Sequence, residues 1–139
     1  MQKEIILYPE AFELKQLGFD DVCIYHYKKN DEGEHTSHPT FEMLTPFGKN
    51  HNILDSRVSA PTYSQAFRWF RNEHNLDSEV YMNHEYGVKF YSKLILKLEG
   101  SVVTHVPGPF EMYKSYEEAE LASLRNLIKI VKEQTNGKQ

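Results

Sequence analysis

The sequence has little of what marks secreted, zinc-binding or membrane proteins. It contains 1 cysteine, Cys23, which excludes an internal disulfide and a cysteine-based zinc cluster. The first apolar run, residues 5–7, is far shorter than the about 20 residues that a membrane span requires. These absences predict a cytoplasmic protein without a membrane partner.

Familiar catalytic motifs are absent as well. The chain contains no GxSxG elbow, no GxxxxGK[ST] phosphate loop, no GxGxxG fingerprint and no HExxH helix. Cys23 lies in the apolar stretch 22–25, where a thiol usually behaves as a small buried hydrophobe and not as a nucleophile. We therefore predict a protein that is not an enzyme and has no cofactor.

The composition predicts one folded domain over residues 1–139. Hydrophobic residues make up 40% of the chain, with 8 Phe, 9 Tyr and 1 Trp, which is enough apolar surface for a core. Sixteen basic and 20 acidic residues give a formal charge of −4. This balance argues against an extended nucleic-acid interface, but it allows local basic patches.

Three helices are predicted from their start and stop signals. The first runs over residues 9–18, between a proline and a glycine. Capping boxes at 62–65 and 115–118 begin the second helix and the third, and the third extends to about Lys132. The polar side of the third helix carries Arg125, Lys129 and Lys132 on a narrow stripe.

Strands are predicted at 22–27, 79–83, 86–98 and 102–106, with a two-residue turn at 99–100 that is short enough for antiparallel pairing. In the stretch 86–98, the even-numbered residues are mostly apolar and are expected to pack, whereas the odd-numbered ones face water. We predict an α+β fold, with an antiparallel sheet of about four strands, three helices mainly on one face, and an irregular loop over about 29–60.

Two surfaces combine cations with aromatic rings and are the candidate ligand-binding sites. The odd-numbered side of the stretch 86–98 carries Lys89, Tyr91, Lys93 and Lys97. The second helix carries Arg68, Trp69 and Arg71. Lysines and arginines could hold phosphates while Tyr91 or Trp69 stacks on a base. The alternatives are an ordinary solvated sheet face and a subunit or protein contact.

Histidines in the long loop suggest a second kind of chemistry. His35 and His38 lie close in sequence to His26 and His51. This spacing suggests either a metal site or half of the active site of a two-histidine phosphoesterase. An irregular loop fixes no ligand geometry, and loop histidines are common, so we predict no metal site. His74, near the end of the second helix, is interpreted as structural.

Parts of the chain resemble small uncharacterised proteins of phages and prophages of gut bacteria. The resemblance lies in residues 17–20, in APTYSQAFRWFR at 60–71 and in YKSYEEAE at 113–120, about half of the chain. These motifs are helix caps and buried faces, so they bring no catalytic residues with them. The resemblance implies a phage accessory protein that acts in the cytoplasm of a bacterial host.

We therefore expect a non-catalytic phage accessory protein that forms a homo-oligomer and sequesters an anionic nucleotide signal of host defence. One alternative is a protein-binding inhibitor of a host enzyme, docking through the Arg68–Trp69–Arg71 surface or the long loop. A structural or interaction module of unknown role is the other.

Overall fold

The computed structural model describes residues 4–41 and 50–137, which form two compact units, Met1–Ala66 and Phe67–Gln139. The helices are α1 (Tyr8–Gln16), α2 (Tyr63–His74) and α3 (Tyr116–Asn136). The strands are β1 (Tyr25–Lys28), β2 (Thr40–Phe41), β3 (Arg57–Ser59), β4 (Leu76–Glu85), β5 (Val88–Glu99) and β6 (Val102–His105). Within these described ranges, no helix has the length and apolar character needed to cross a membrane. The single domain over 1–139 stays a prediction.

The first unit contains a small antiparallel sheet in the order β2-β1-β3. Strand β1 pairs with both neighbours, and α1 lies against β3. The Tyr27 side chain is buried, and its hydroxyl donates a 2.8 Å hydrogen bond to the Ile6 carbonyl. Burial, and to a lesser extent the nearby Glu10 charge, raises the pKa of Tyr27 to about 12, so the hydroxyl stays protonated.

The segment predicted as an irregular loop over 29–60 contains both outer strands of this sheet, β2 and β3, and a short 3₁₀ turn, His51–Ile53. The Asn52 side chain holds the turn in place, donating to the Phe19 carbonyl and accepting from the Ser59 amide. Strands of two or three residues show no periodicity in the sequence, so the prediction missed them. Residues 42–49 of the predicted loop lie outside the described residues.

The second unit contains a meander in the order β4-β5-β6, with α3 packed against β4 and β5. Its buried residues include Leu76, Leu124, Leu127, Ile128 and Val131. The α+β class is confirmed, but two three-stranded sheets replace the single sheet of about four strands. The prediction missed the β2-β1-β3 sheet because β2 and β3 lie in the segment that was predicted as an irregular loop.

The capping box of α2 is complete, whereas at α3 the Glu118 carboxylate accepts from the Lys114 amide and not from the Ser115 amide. The Thr62 hydroxyl accepts from the Gln65 amide at 3.2 Å, and the Gln65 side-chain oxygen accepts from the Thr62 amide at 3.0 Å. At α3, the Ser115 hydroxyl accepts from the Glu118 amide at 3.1 Å. The helix ends at Asn136, beyond the predicted Lys132, because its last turn is polar and exposed but contains no helix breaker.

Removing the first cap should measurably weaken the protein. We expect Thr62→Ala to lower the free energy of unfolding by about 0.5–2 kcal/mol, because the Gln65 amide loses its acceptor. Ser64→Ala, at an exposed position inside the same helix, is the matched control and should change stability by less than about 0.5 kcal/mol. Urea unfolding followed by circular dichroism measures both, and equal losses would contradict the capping role.

The turns of the meander differ from the prediction in register. Tyr86 and Gly87, both with positive φ (51° and 77°), form the β4–β5 turn, so Tyr86 is not the first residue of a strand. Its side chain is 97% exposed instead of packed. The next turn consists of Gly100 and Ser101, because Glu99 pairs with Val102.

Candidate functional site

The two sides of β5 do not divide into a packed and a solvated face. Ile95 and Leu96 are neighbours that point to opposite faces, yet they are only 7% and 8% exposed. The Tyr91 ring contacts the Tyr116 ring of α3, with centroids 6.2 Å apart. The predicted solvent face is therefore wrong in the middle of the strand, because α3 packs against the sheet.

The three predicted lysines lie on the same side of β5 but in different surroundings. The Lys89 ammonium is 5.8 Å from the centroid of the Tyr91 ring, and Lys97 forms a 2.8 Å ion pair with Glu99. Lys93 lies between them, about 13 Å along the strand from each. It is half-buried and lines a cavity. The lysines are thus aligned along the strand but do not converge on one point.

The second predicted surface is not a continuous cationic and aromatic patch. Arg68 is exposed, and Arg71 forms a 3.2 Å ion pair with Asp77. The Trp69 side chain is only 3% exposed and contacts the rings of Phe70 and His74. Its expected exposure is wrong, because α2 buries Trp69 together with its neighbour Phe70. A buried ring offers no face for stacking on a base.

A cavity of about 680 Å³ lies in the second unit, between β5, α3 and the segment that joins β6 to α3. We call it the β5 cavity. The apolar residues on its wall include Ile95, Val106, Phe110 and Ile130. The charged residues on its wall are Lys93, Glu111, Arg125, Lys129 and Glu133. Lys93 is the only predicted site residue among them.

Two backbone contacts create the opening. The Val106 amide donates to the Ile95 carbonyl, and Tyr91 and Tyr113 exchange two hydrogen bonds of 2.9 and 2.8 Å. Residues 107–112 leave the sheet between these contacts. Backbone groups alternate in direction along a strand, so the amide and carbonyl of Lys93 point to the same edge as those of Tyr91. Among the described residues, neither group has a backbone partner there.

The charges around the β5 cavity are partly neutralised by one another. Lys129 lies 4.0 Å from the Glu133 carboxylate, and the Tyr113 hydroxyl donates to the Glu111 carboxylate. Burial and then this hydrogen bond to Glu111 raise the pKa of Tyr113 to about 12, so the hydroxyl stays protonated. Within the described part of the chain, Lys93 has no carboxylate at ion-pair distance. Its ammonium is thus available to a ligand.

The candidate histidines do not gather into one site. His35 stacks on Tyr8 with ring centroids 4.3 Å apart, whereas the His38 ring forms a 2.8 Å hydrogen bond with the Ser37 hydroxyl. His26 stacks on His51, whose ring also lies 3.1 Å from the Cys23 carbonyl. In residues 4–41 and 50–137, no three His, Cys, Asp or Glu side chains are grouped to hold a metal ion.

The prediction missed most of the cavity wall. Arg125 and Lys129 belong to the polar stripe of α3 that the sequence revealed, but nothing in the sequence shows that this stripe faces β5. The sequence signal for the wall formed by the segment between β6 and α3 was the Pro107-Gly108-Pro109 break after β6.

No protein-family model matches the chain, and neither a curated protein nor a solved structure resembles it significantly.

Proposed function

We propose that this chain is a non-catalytic phage accessory protein that binds a small anionic nucleotide in the β5 cavity. The observation that carries the proposal is the position of Lys93, a half-buried lysine that lines a cavity with aromatic and aliphatic walls. A desolvated cation attracts a phosphate more strongly than a solvated one does.

The size and chemistry of the cavity support a ligand of this class. Its volume of about 680 Å³ falls within the range of about 300–1,000 Å³ that is usual for small-molecule sites. Lys93 supplies the positive charge for a phosphate, and Arg125 and Lys129, whose ammonium lies 4.0 Å from the Glu133 carboxylate, add to the positive charge of the wall. The exposed Phe110 ring, which makes an edge contact with Phe90, offers a surface for stacking a base. The backbone groups of Lys93 suit the neighbouring donor and acceptor of a base edge.

Sequestration requires recognition alone, and the absence of familiar catalytic motifs is consistent with that. The resemblance to phage proteins adds the context: a phage gains if a nucleotide signal of host defence is bound and withdrawn. In this proposal, Lys89, Lys97 and Arg71 contribute only to the surrounding charge, because each has its own partner on the protein.

The test begins with protein purified from phage-infected or signal-producing cells. After denaturation, mass spectrometry should find a released nucleotide in about stoichiometric amount. The same nucleotide should then bind to the refolded or ligand-free protein in calorimetry. A protein that releases no nucleotide, and that binds none from a panel of linear and cyclic nucleotides, would contradict the proposal.

Lys93→Gln should weaken binding of that nucleotide by about 10- to 100-fold, because a hydrogen bond to a charged group contributes about 1.5–3 kcal/mol. Lys89→Gln is the matched control: it removes the same charge from the same side of β5, but outside the cavity wall. It should change the dissociation constant by less than about threefold at 0.15 M salt, because an exposed charge is largely screened. Equal effects of the two substitutions would place the ligand elsewhere.

A further inference from the structure

Two stacked histidines are buried in the first unit. The rings of His26 and His51 have centroids 4.2 Å apart and an interplanar angle of 25°. Their side chains are 0% and 1% exposed. An imidazolium in such a place loses most of its hydration, so burial favours the neutral form of both rings. A proton on one ring also opposes a second proton on the other. We call these two residues the histidine pair.

The contacts of His51 fix the neutral form of its ring. Its Nε2 lies 3.1 Å from the Cys23 carbonyl, which can only accept, so Nε2 carries the ring proton. Its Nδ1 lies 3.4 Å from the Arg57 guanidinium, which can only donate, so Nδ1 offers its lone pair. A proton added at Nδ1 would replace this acceptor with a donor and place two cations against each other. Protonation of His51 and its contact with Arg57 therefore exclude each other.

Other cations lie around the histidine pair. Because side chains alternate along a strand, Lys28 of β1 and Arg57 of β3 project from the same face of the small sheet as His26. From α1, the Lys15 ammonium donates to the carbonyls of Leu54 and Arg57, which follow the 3₁₀ turn His51–Ile53. These positive charges add to the cost of a proton on the pair.

Two carboxylates act on neighbours of the pair. Glu10 of α1 acts on Tyr27, which projects from the opposite face of β1 to His26. Asp21 acts on the Cys23 thiol, whereas His51 meets Cys23 at its carbonyl. The β2 residue opposite His26 is Thr40, which carries no charge.

The 3₁₀ turn is a small element that can open on its own. The His51 amide donates to the Ser59 hydroxyl at 3.1 Å, and Asn52 bonds to Phe19 and Ser59. Breaking these few bonds leaves the pairing of β1 with β2 and β3 intact, which is the pattern of a local opening. Opening returns both imidazoles to water and removes the contact that covers Cys23.

We propose that the 3₁₀ turn is an acid-sensitive switch: as the pH falls, His26 and His51 take up protons, and the turn opens and exposes Cys23. The closed form holds the pair neutral, whereas the open form binds protons like ordinary histidines, near pH 6.5. The pair therefore stabilises the closed form above about pH 6.5 and loses this effect below it. Between pH 7.5 and 5.5, the opening constant should rise about tenfold for each histidine, or about a hundredfold for both.

The test is the labelling rate of Cys23. Dithiodipyridine reacts with thiols in acid as well as at neutral pH, and dividing the folded rate by that of the urea-denatured chain at the same pH isolates the opening. We expect this ratio to rise about a hundredfold from pH 7.5 to 5.5. A change of less than about threefold would overturn the proposal. Global unfolding is a poorer measure, because burial also lowers the pKa of His35 and of His74.

Two variants assign the effect to the pair. His51→Gln keeps a donor for the Cys23 carbonyl but takes up no proton, so its ratio should rise only about tenfold over the same pH range. His38→Asn is the matched control, because His38 is an exposed histidine whose ring bonds to the Ser37 hydroxyl. It should keep the hundredfold rise. A hundredfold rise in His51→Gln, or a tenfold rise in His38→Asn, would contradict the assignment.

Nuclear magnetic resonance of the histidine rings decides the matter if His51→Gln fails to fold. In the unmodified chain, the His26 and His51 rings should keep the chemical shifts of neutral imidazole as long as Cys23 stays protected, while the His38 ring titrates near pH 6.5. A charged His26 or His51 ring beside a protected Cys23 would overturn the switch. Neither experiment involves a nucleotide, so the switch and the nucleotide site can fail separately.

Discussion

Leu127→Ala should lower the free energy of unfolding by about 2–5 kcal/mol, the range measured for truncating a fully buried leucine. Leu127 lies in α3 and has no exposed surface. Its removal takes away apolar contacts and leaves a space that the surrounding helix and strands fill only in part. Urea unfolding followed by circular dichroism measures the loss. Because small domains are stable by only about 5–15 kcal/mol, this variant should show a clearly lower urea midpoint.

Leu121→Ala is the matched control, since it makes the same substitution in the same helix at a half-buried position. It should cost clearly less than Leu127→Ala, because less apolar surface is lost and no closed space is left. If the two variants lose the same stability, or if Leu127→Ala loses less than about 1 kcal/mol, then α3 is not packed as described.

The Cys23 thiol should react with a soluble disulfide reagent at least about a thousandfold more slowly in the folded chain than in the denatured chain. The side chain is 1% exposed, and burial, followed by the nearby Asp21 charge, raises the pKa of the thiol to about 12. The reactive thiolate is therefore scarce at pH 8, and the reagent cannot reach it. Rapid labelling without denaturant would contradict the burial of Cys23.

The same shift makes stability depend on pH in a defined direction. A thiol whose pKa is higher in the folded state stabilises the fold fully below its ordinary pKa, 9.0, and this contribution is lost as the pH rises toward 12. Tyr27 and Tyr113 titrate in the same range when folded, so Cys23→Ala is the necessary comparison. The fall in stability between pH 8 and pH 10 should be shallower in Cys23→Ala than in the unmodified chain.

The features that the sequence revealed are those fixed by local chemistry. A hydroxyl at Thr62 or Ser115 and a partner three residues later define a helix start without help from the rest of the chain. Alternation likewise identified β5, although α3 covers the face that alternation alone assigned to water. Turns were harder: Tyr86 occupies a left-handed conformation that usually belongs to glycine or asparagine, so its residue type pointed away from a turn.

The candidate site could not be predicted because its walls come from three separate segments. Lys93, Phe110 and Arg125 are brought together by the pairing of Tyr91 with Tyr113 and by the packing of α3, and neither is visible as a local pattern. For Trp69, the sequence instead predicted a binding residue where the structure has a buried side chain. A tryptophan between two arginines indicates a surface, yet the α2 periodicity that buries Phe70 also buries Trp69.

The segment 107–112 is tied to β5 at both ends, by Val106 and by Tyr113, and two of its residues, Pro107 and Pro109, have a restricted backbone. Because this wall of the β5 cavity is already rigid, it loses little conformational entropy when a ligand binds. Association should then be governed by the rate of encounter, without a preceding ordering step. In the proposed function, the lifetime of the bound nucleotide would therefore depend mainly on its dissociation rate.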